Sequence, residues 1–146
     1  MTSPATAIHL DSMLCFALYS ATHAMQHVYK PLLEGLGLTY PQYLVLITLW
    51  QQDGQTVGQL GAALQLESNT LTPLLKRMET AGLLTRARDT GDERQVRLTL
   101  TGRGRALQAR AEAIPACLLE RSGLTLEALA DLQHRIAGLR DHLRQP

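Results

Sequence analysis

Residues 51 to 146 contain no phenylalanine, tyrosine or tryptophan. Every ring of those three types, Phe16, Tyr19, Tyr29, Tyr40, Tyr43 and Trp50, lies in the first fifty positions. Aromatic side chains are large core builders, so a pocket built of rings belongs to the N-terminal part of the chain. Cysteine is as scarce. Cys15 and Cys117 are the only two, and their wide separation excludes a disulfide framework and metal-ligand spacing. No stretch approaches the roughly 20 apolar residues that cross a membrane. The N-terminus lacks a basic region followed by an apolar run, so no signal peptide is expected. The expected setting is a reducing cytoplasm, where a reversible disulfide is a signal and not a staple.

Weak signals point to no cofactor and no metal. His23 and His27 lie four apart, with no obvious third ligand. The TGRGR run at 101–105 lacks the Lys-Ser/Thr of a phosphate loop. His9 and Asp11 flank the first cysteine without forming a nucleophilic triad.

Net charge is +1 over 146 residues, but it is unevenly placed. Between 68 and 105 the basic side chains Lys76, Arg77, Arg86, Arg88, Arg94, Arg97, Arg103 and Arg105 face only Glu79, Asp89, Asp92 and Glu93. A basic segment in a nearly neutral chain is an electrostatic footprint for nucleic acid.

The spacing of Leu10, Leu14, Leu18, Ala21, Met25, Val28 and Leu32 predicts a helix from about 8 to 34. Residues 1–7 read as a disordered arm. Tyr40-Pro41 opens a second helix, which Asp53-Gly54 stops. Thr56 caps a third of about nine residues, with Leu60, Ala63 and Leu64 inward. A fourth starts within 68–70 and ends before Gly82, with Leu71, Leu74, Leu75 and Met78 inward. Pro73 is expected in or just after its first turn, since deeper it removes a backbone bond. Leu83–Arg88 and Gln95–Leu100 read as a hairpin around the polar tip DTGDER. Thr101 caps a fifth helix that Pro115 kinks or interrupts. Thr125 caps the last, with Leu126, Leu129, Leu132, Ile136, Leu139 and Leu143 at helical spacing.

Helix, tight turn, helix and hairpin between 56 and 100 describe a winged helix-turn-helix, in which the second helix enters the DNA major groove and the hairpin tip reaches the flanking backbone or minor groove. Ser68, Asn69, Thr70 and Thr72 are short enough to approach bases, and Lys76 and Arg77 supply charge near phosphates. Arg86 adds to that charge. Asp92 is placed to orient Arg94, which could then enter the narrow groove.

The segments LTYPQYLVLITLW, SNTLTPLLKRMETAGLL and DTGDERQVRLTLTGRG resemble those of MarR-type transcriptional regulators, more narrowly the organic hydroperoxide resistance repressors of two-cysteine type. The resemblance covers nearly the whole chain. It implies a mainly α-helical single domain, with residues 41–101 as the winged helix-turn-helix lobe. Residues 8–40 and 102–146 would be the dimerisation helices of a homodimer on a pseudo-palindromic double-stranded operator. It further implies that Cys15 is the redox-sensing thiol and that Tyr29 and Tyr40 hydrogen-bond it across the dimer, with Tyr19 as a neighbouring support. Cys117 of the other subunit would resolve the oxidised thiol as an intersubunit disulfide.

The chemistry of the residues agrees with that implication. Phenol donors stabilise a nearby anion, and a second thiol condenses with a sulfenic acid. Leu14, Phe16, Leu18 and Met25 favour an organic hydroperoxide as inducer. Two alternatives stay open. One is a MarR-type regulator that binds a small aromatic ligand without covalent chemistry. The other is a thiol peroxidase using both cysteines, which leaves the basic wing idle. The regulator readings imply no enzyme activity.

Overall fold

Threonine hydroxyls set where four of the helices begin. The computed structural model describes residues 8–146. Thr39 caps α2 (Tyr40–Gln51), Thr56 caps α3 (Val57–Leu64), Thr101 caps α5 (Gly102–Ala111) and Thr125 caps α7 (Leu126–Leu143). Each hydroxyl accepts from the backbone N–H three residues on, as at Gln59 (3.2 Å) and Gly104 (3.1 Å). At Thr39 and Thr56 the glutamine three residues later accepts from the cap's own N–H, closing a capping box. A cap of this kind contributes about 1 kcal/mol. The remaining helices are α1 (Leu14–Glu34), α4 (Ser68–Thr80) and α6 (Ile114–Ser122).

The chain divides after Glu112 into two compact units. In the first, α2 packs against α1, α3, α4 and α5. Val45, Leu46 and Leu49 of α2, Leu60 of α3, and Leu71 and Leu75 of α4 are wholly buried, each burial worth about 1.5–3 kcal/mol. The turn between α3 and α4 is tight. Gln65 takes a left-handed conformation at φ 58°, and a Cβ at Gly61 would come within 2.8 Å of the Leu66 carbonyl oxygen. Only a residue without a side chain fits there.

Strands β1 (Leu84–Arg88) and β2 (Val96–Leu100) pair antiparallel, with Leu84 opposite Leu100 and Arg88 opposite Val96. Leu98 is fully buried, Leu100 is buried and Val96 half-buried. The start of α5 lies so close to the chain entering β1 that a methyl group on Gly104 would run into the Leu83 carbonyl. Trp50 Nε1 donates to the Gly104 carbonyl at 2.9 Å, tying α2 to the same point. Helix α5 therefore packs with α2 and β2, within the first unit.

Several expectations are corrected. The first helix does not run unbroken from 8: a 3-10 turn at Leu10–Ser12 is followed by extended Met13, and α1 begins at Leu14. Pro73 is the sixth residue of α4, just after the first turn, yet already there it withdraws the donor for the Asn69 carbonyl. Ala63 is exposed and Leu64 only half-buried. Pro115 stands at the start of α6, so it interrupts rather than kinks. The expected arm at 1–7 lies outside the described residues. In the second unit, α7 buries none of its side chains: Leu126, Leu132, Ile136 and Leu143 are all exposed. Periodicity marks the apolar stripe but not whether the chain itself covers it. No helix among the described residues is long and apolar enough to cross a membrane.

Candidate nucleic-acid interface and thiol site

Helix α4 turns Leu71, Leu74, Leu75 and Met78 inward, which leaves its other face to solvent. Ser68, Asn69 and Thr70 are exposed at its N-terminal end, Thr72 is half-exposed, and Lys76 and Arg77 are exposed further along. Ser68, Thr72 and Lys76 are four apart and form one stripe. Neither Lys76 nor Arg77 makes an ion pair among the described residues, so both charges are available to phosphate.

Arg86 differs. Its backbone N–H donates to Glu79 Oε2 at 3.0 Å and its Nε lies 3.5 Å from Oε1. Arg86, expected to add to the open charge of the wing, is only 23% exposed, with the Glu79 carboxylate of α4 against its guanidinium. At the wing tip, Asp92 Oδ1 accepts from the Arg94 backbone N–H and from Arg94 Nε, both at 3.1 Å, and Oδ2 accepts from Nη2 at 3.2 Å. The Arg94 side-chain and backbone hydrogen bonds hold the Asp92 carboxyl below its ordinary 3.8. The Arg94 side chain is 90% exposed, so a charged fork is oriented by its neighbour yet open to a groove.

The rings gather on α1 and α2. Tyr29 lies 5.2 Å from Tyr40 and 6.0 Å from Tyr43 between ring centroids, and Tyr43 meets Trp50 edge-on at 6.4 Å. Burial, with Tyr40 and Tyr43 adding, pushes the Tyr29 phenol up to about 12. Burial raises Tyr40 and Tyr43 from 10.0 as well. All three therefore stay protonated, as hydrogen-bond donors, through the neutral range. Tyr43, grouped by sequence with the other N-terminal rings but given no role at the thiol, is part of the cluster. A bulky apolar pattern gives the face of a helix but not which rings meet. Tyr19 is not in the cluster: it is exposed, with its ring 4.4 Å from His23.

Cys15 is a free, exposed thiol in the first turn of α1, where the helix dipole presents its positive end. Tyr29 is fourteen residues further along the same unbroken helix, about 21 Å at a rise of ~1.5 Å per residue. A protomer cannot bring its own Tyr29 to its own Cys15. Cys117 is a free, half-buried thiol on α6, in the second unit.

Residues 27–110 match the sequence profile of the SarA/Rot transcriptional regulators. The organic hydroperoxide resistance transcriptional regulator of Bacillus subtilis is 45% identical over 136 residues, covering 93% of this chain and 92% of that protein. The chain belongs to the MarR family of winged helix-turn-helix regulators, in its organic hydroperoxide resistance branch. Another relative, the HTH-type regulator TtmR of Methylorubrum extorquens, is 48% identical over 92% of this chain and 69% of its own. Among solved structures, reduced AbfR bound to DNA is 37% identical, with a TM-score of 0.76 over 93% of this chain and 96% of that one; AbfR is a protein of Staphylococcus epidermidis. Disulfide-formed AbfR, 38% identical over 92% and 90%, superposes with a lower TM-score of 0.63. Like the relatives it matches, this chain is a DNA-binding transcription regulator.

Proposed function

We propose that this chain is a cytoplasmic redox-sensing repressor, a homodimer that releases a pseudo-palindromic operator when an organic hydroperoxide oxidises Cys15. The observation that carries this reading is the separation along α1. An exposed thiol and a cluster of protonated phenols sit at opposite ends of one helix, and only a second copy can bring them together. The exposed apolar side chains Leu14 and Met25 of α1, and Leu132 and Ile136 of α7, supply surface for such a partner.

In the pair, Tyr29 and Tyr40 of one subunit donate to Cys15 of the other and stabilise its thiolate. The thiolate attacks one peroxide oxygen, the O–O bond breaks, and the hydroperoxide leaves as its alcohol after taking up a proton. Cys15 is then a sulfenic acid. The Cys117 thiol of the other subunit displaces its hydroxyl as water, forming an intersubunit disulfide. Two reading heads must span major grooves one helical turn apart, so a cross-link that shifts their spacing ends simultaneous contact. AbfR has been solved on DNA both reduced and overoxidised, which favours the cross-link, rather than loss of the thiol alone, as the releasing step.

Non-reducing electrophoresis after treatment with cumene hydroperoxide tests this. A covalent dimer should form in the wild type and be absent in Cys117→Ser. An oxidised wild-type protein that leaves DNA yet runs as a monomer would overturn the intersubunit step. Unchanged peroxide response in Cys15→Ser would overturn the thiol reading altogether.

A further inference from the structure

Asp89 stands where β1 gives way to the wing turn, and its two oxygens hold two different groups. Oδ1 accepts from Arg97 Nε at 2.9 Å, and Oδ2 accepts from the Asp92 backbone N–H at 3.1 Å. Arg97 reaches back as well: its Nη1 donates to the Gly54 carbonyl, in the turn that follows α2. Asp92 in its turn grips Arg94. An unbroken series of hydrogen bonds thus runs from the backbone behind α2, through Arg97 and Asp89, to the exposed guanidinium at the wing tip.

We propose that Arg97 is a positioning residue for DNA recognition: its guanidinium, shared between the Gly54 carbonyl and Asp89, fixes the direction in which the wing presents Arg94. The inference rests on the DNA-binding reading of the wing. The base of the wing is held without this side chain. Leu98 N–H donates to the Gln55 carbonyl at 2.8 Å, and a backbone bridge joins Thr56 to Arg97. The backbone at the base of the wing therefore does not depend on the Arg97 side chain, whose partly buried pair with Asp89 (42% and 17% exposed) lies further out. What this side chain adds lies at the outer end: the turn is closed by Asp89 N–H on the Gln95 carbonyl and by Arg88 Nη1 on the Glu93 carbonyl, and Arg97 fixes the direction of the Asp89 carboxylate that receives the Asp92 N–H. Its charge is already divided between a carbonyl and a carboxylate, so Arg97 acts through Arg94 and not as a phosphate contact.

The test is a double-mutant cycle on the full-length reduced chain, with a duplex selected by that chain from a random-sequence pool. Arg97→Gln should weaken binding about fivefold or more, the lower range for loss of a groove arginine. In an Arg94→Ala background the same change should alter affinity by less than about twofold, the scatter of independent sites. A full effect in both backgrounds would overturn the proposal. Arg97→Lys keeps the charge but not the planar fork, and should behave like Arg97→Gln; wild-type affinity would show that charge alone matters. Asp89→Asn removes a negative charge, which by simple attraction would tighten binding. Positioning requires it to weaken binding, and tighter binding would sink the idea. Equal thermal midpoints for the variants separate these effects from unfolding. Failure to select any duplex would remove the DNA-binding reading itself, whereas additive effects on a selected duplex would remove only this inference.

Discussion

The ring of Tyr29 on α1 lies 5.2 Å from the ring of Tyr40 on α2, while Cys15 occupies the far end of the same α1. Tyr29 and the thiol thus share one helix, fourteen residues apart, a spacing that fits the proposed site formed with a second subunit.

Removing one donor at a time tests this. Tyr29→Phe and Tyr40→Phe should each slow oxidation of Cys15 by an organic hydroperoxide by about tenfold or more, the loss expected for a hydrogen bond to a charged group. DNA affinity of the reduced protein should be unchanged. The rate is read by trapping the sulfenic acid with dimedone and weighing the product. An unaltered rate in both variants would refute thiolate support by these phenols.

Alkaline stability follows from the raised Tyr29 value. Unfolded, the phenol titrates at 10.0; folded, at about 12. The folded state therefore keeps a proton that the unfolded state loses between those values, and stability falls as pH rises through that window. The contribution is complete below 10.0. Urea denaturation at a series of pH values should show a shallower decline in Tyr29→Phe than in the wild type.

The basic side chains of α4 and the wing should separate by salt dependence. Arg94→Ala and Lys76→Ala should each weaken DNA binding and lower the slope of log affinity against log salt by about one if the contact is to a phosphate. Arg86→Ala should change that slope less, because its side chain is only 23% exposed with Glu79 against it, whereas Arg94, though paired with Asp92, is 90% exposed. Fluorescence anisotropy over a salt series reads all three. A full unit lost at Arg86 would contradict the assignment.

The exposed stripe on α7 gives a test of assembly. Leu132→Glu with Ile136→Glu puts two charges where a partner is expected, and should convert the dimer to a monomer at micromolar concentration with loss of tight DNA binding. Sedimentation velocity checks the mass. A dimer that survives both changes would place the interface elsewhere.

Much of the first unit was legible because its signals are local. Thr56 marks a helix start as its cap, and alternation at Val96, Leu98 and Leu100 defines the inner face of β2. Neither needs knowledge of the rest of the chain. The start of α1 was misplaced for a related reason: Leu10 and Leu14 fit one helical stripe, and periodicity cannot register that Met13 is extended between them.

By itself, then, the order of residues determined the helices, the hairpin, the exposed polar edge of α4 and the pairing of Asp92 with Arg94, all from neighbours within a few positions. Tertiary structure alone decided which charges remain open and which rings meet. Glu79 takes up Arg86, Asp53 accepts from the Leu100 N–H and from Arg105, Gly54 and Asp89 share Arg97, and Tyr43 joins Tyr29. Those partners are distant in sequence or joined only through packing. No periodicity relates them, and they come together only when the packing of α1, α3, α4 and α5 on α2 fixes their positions.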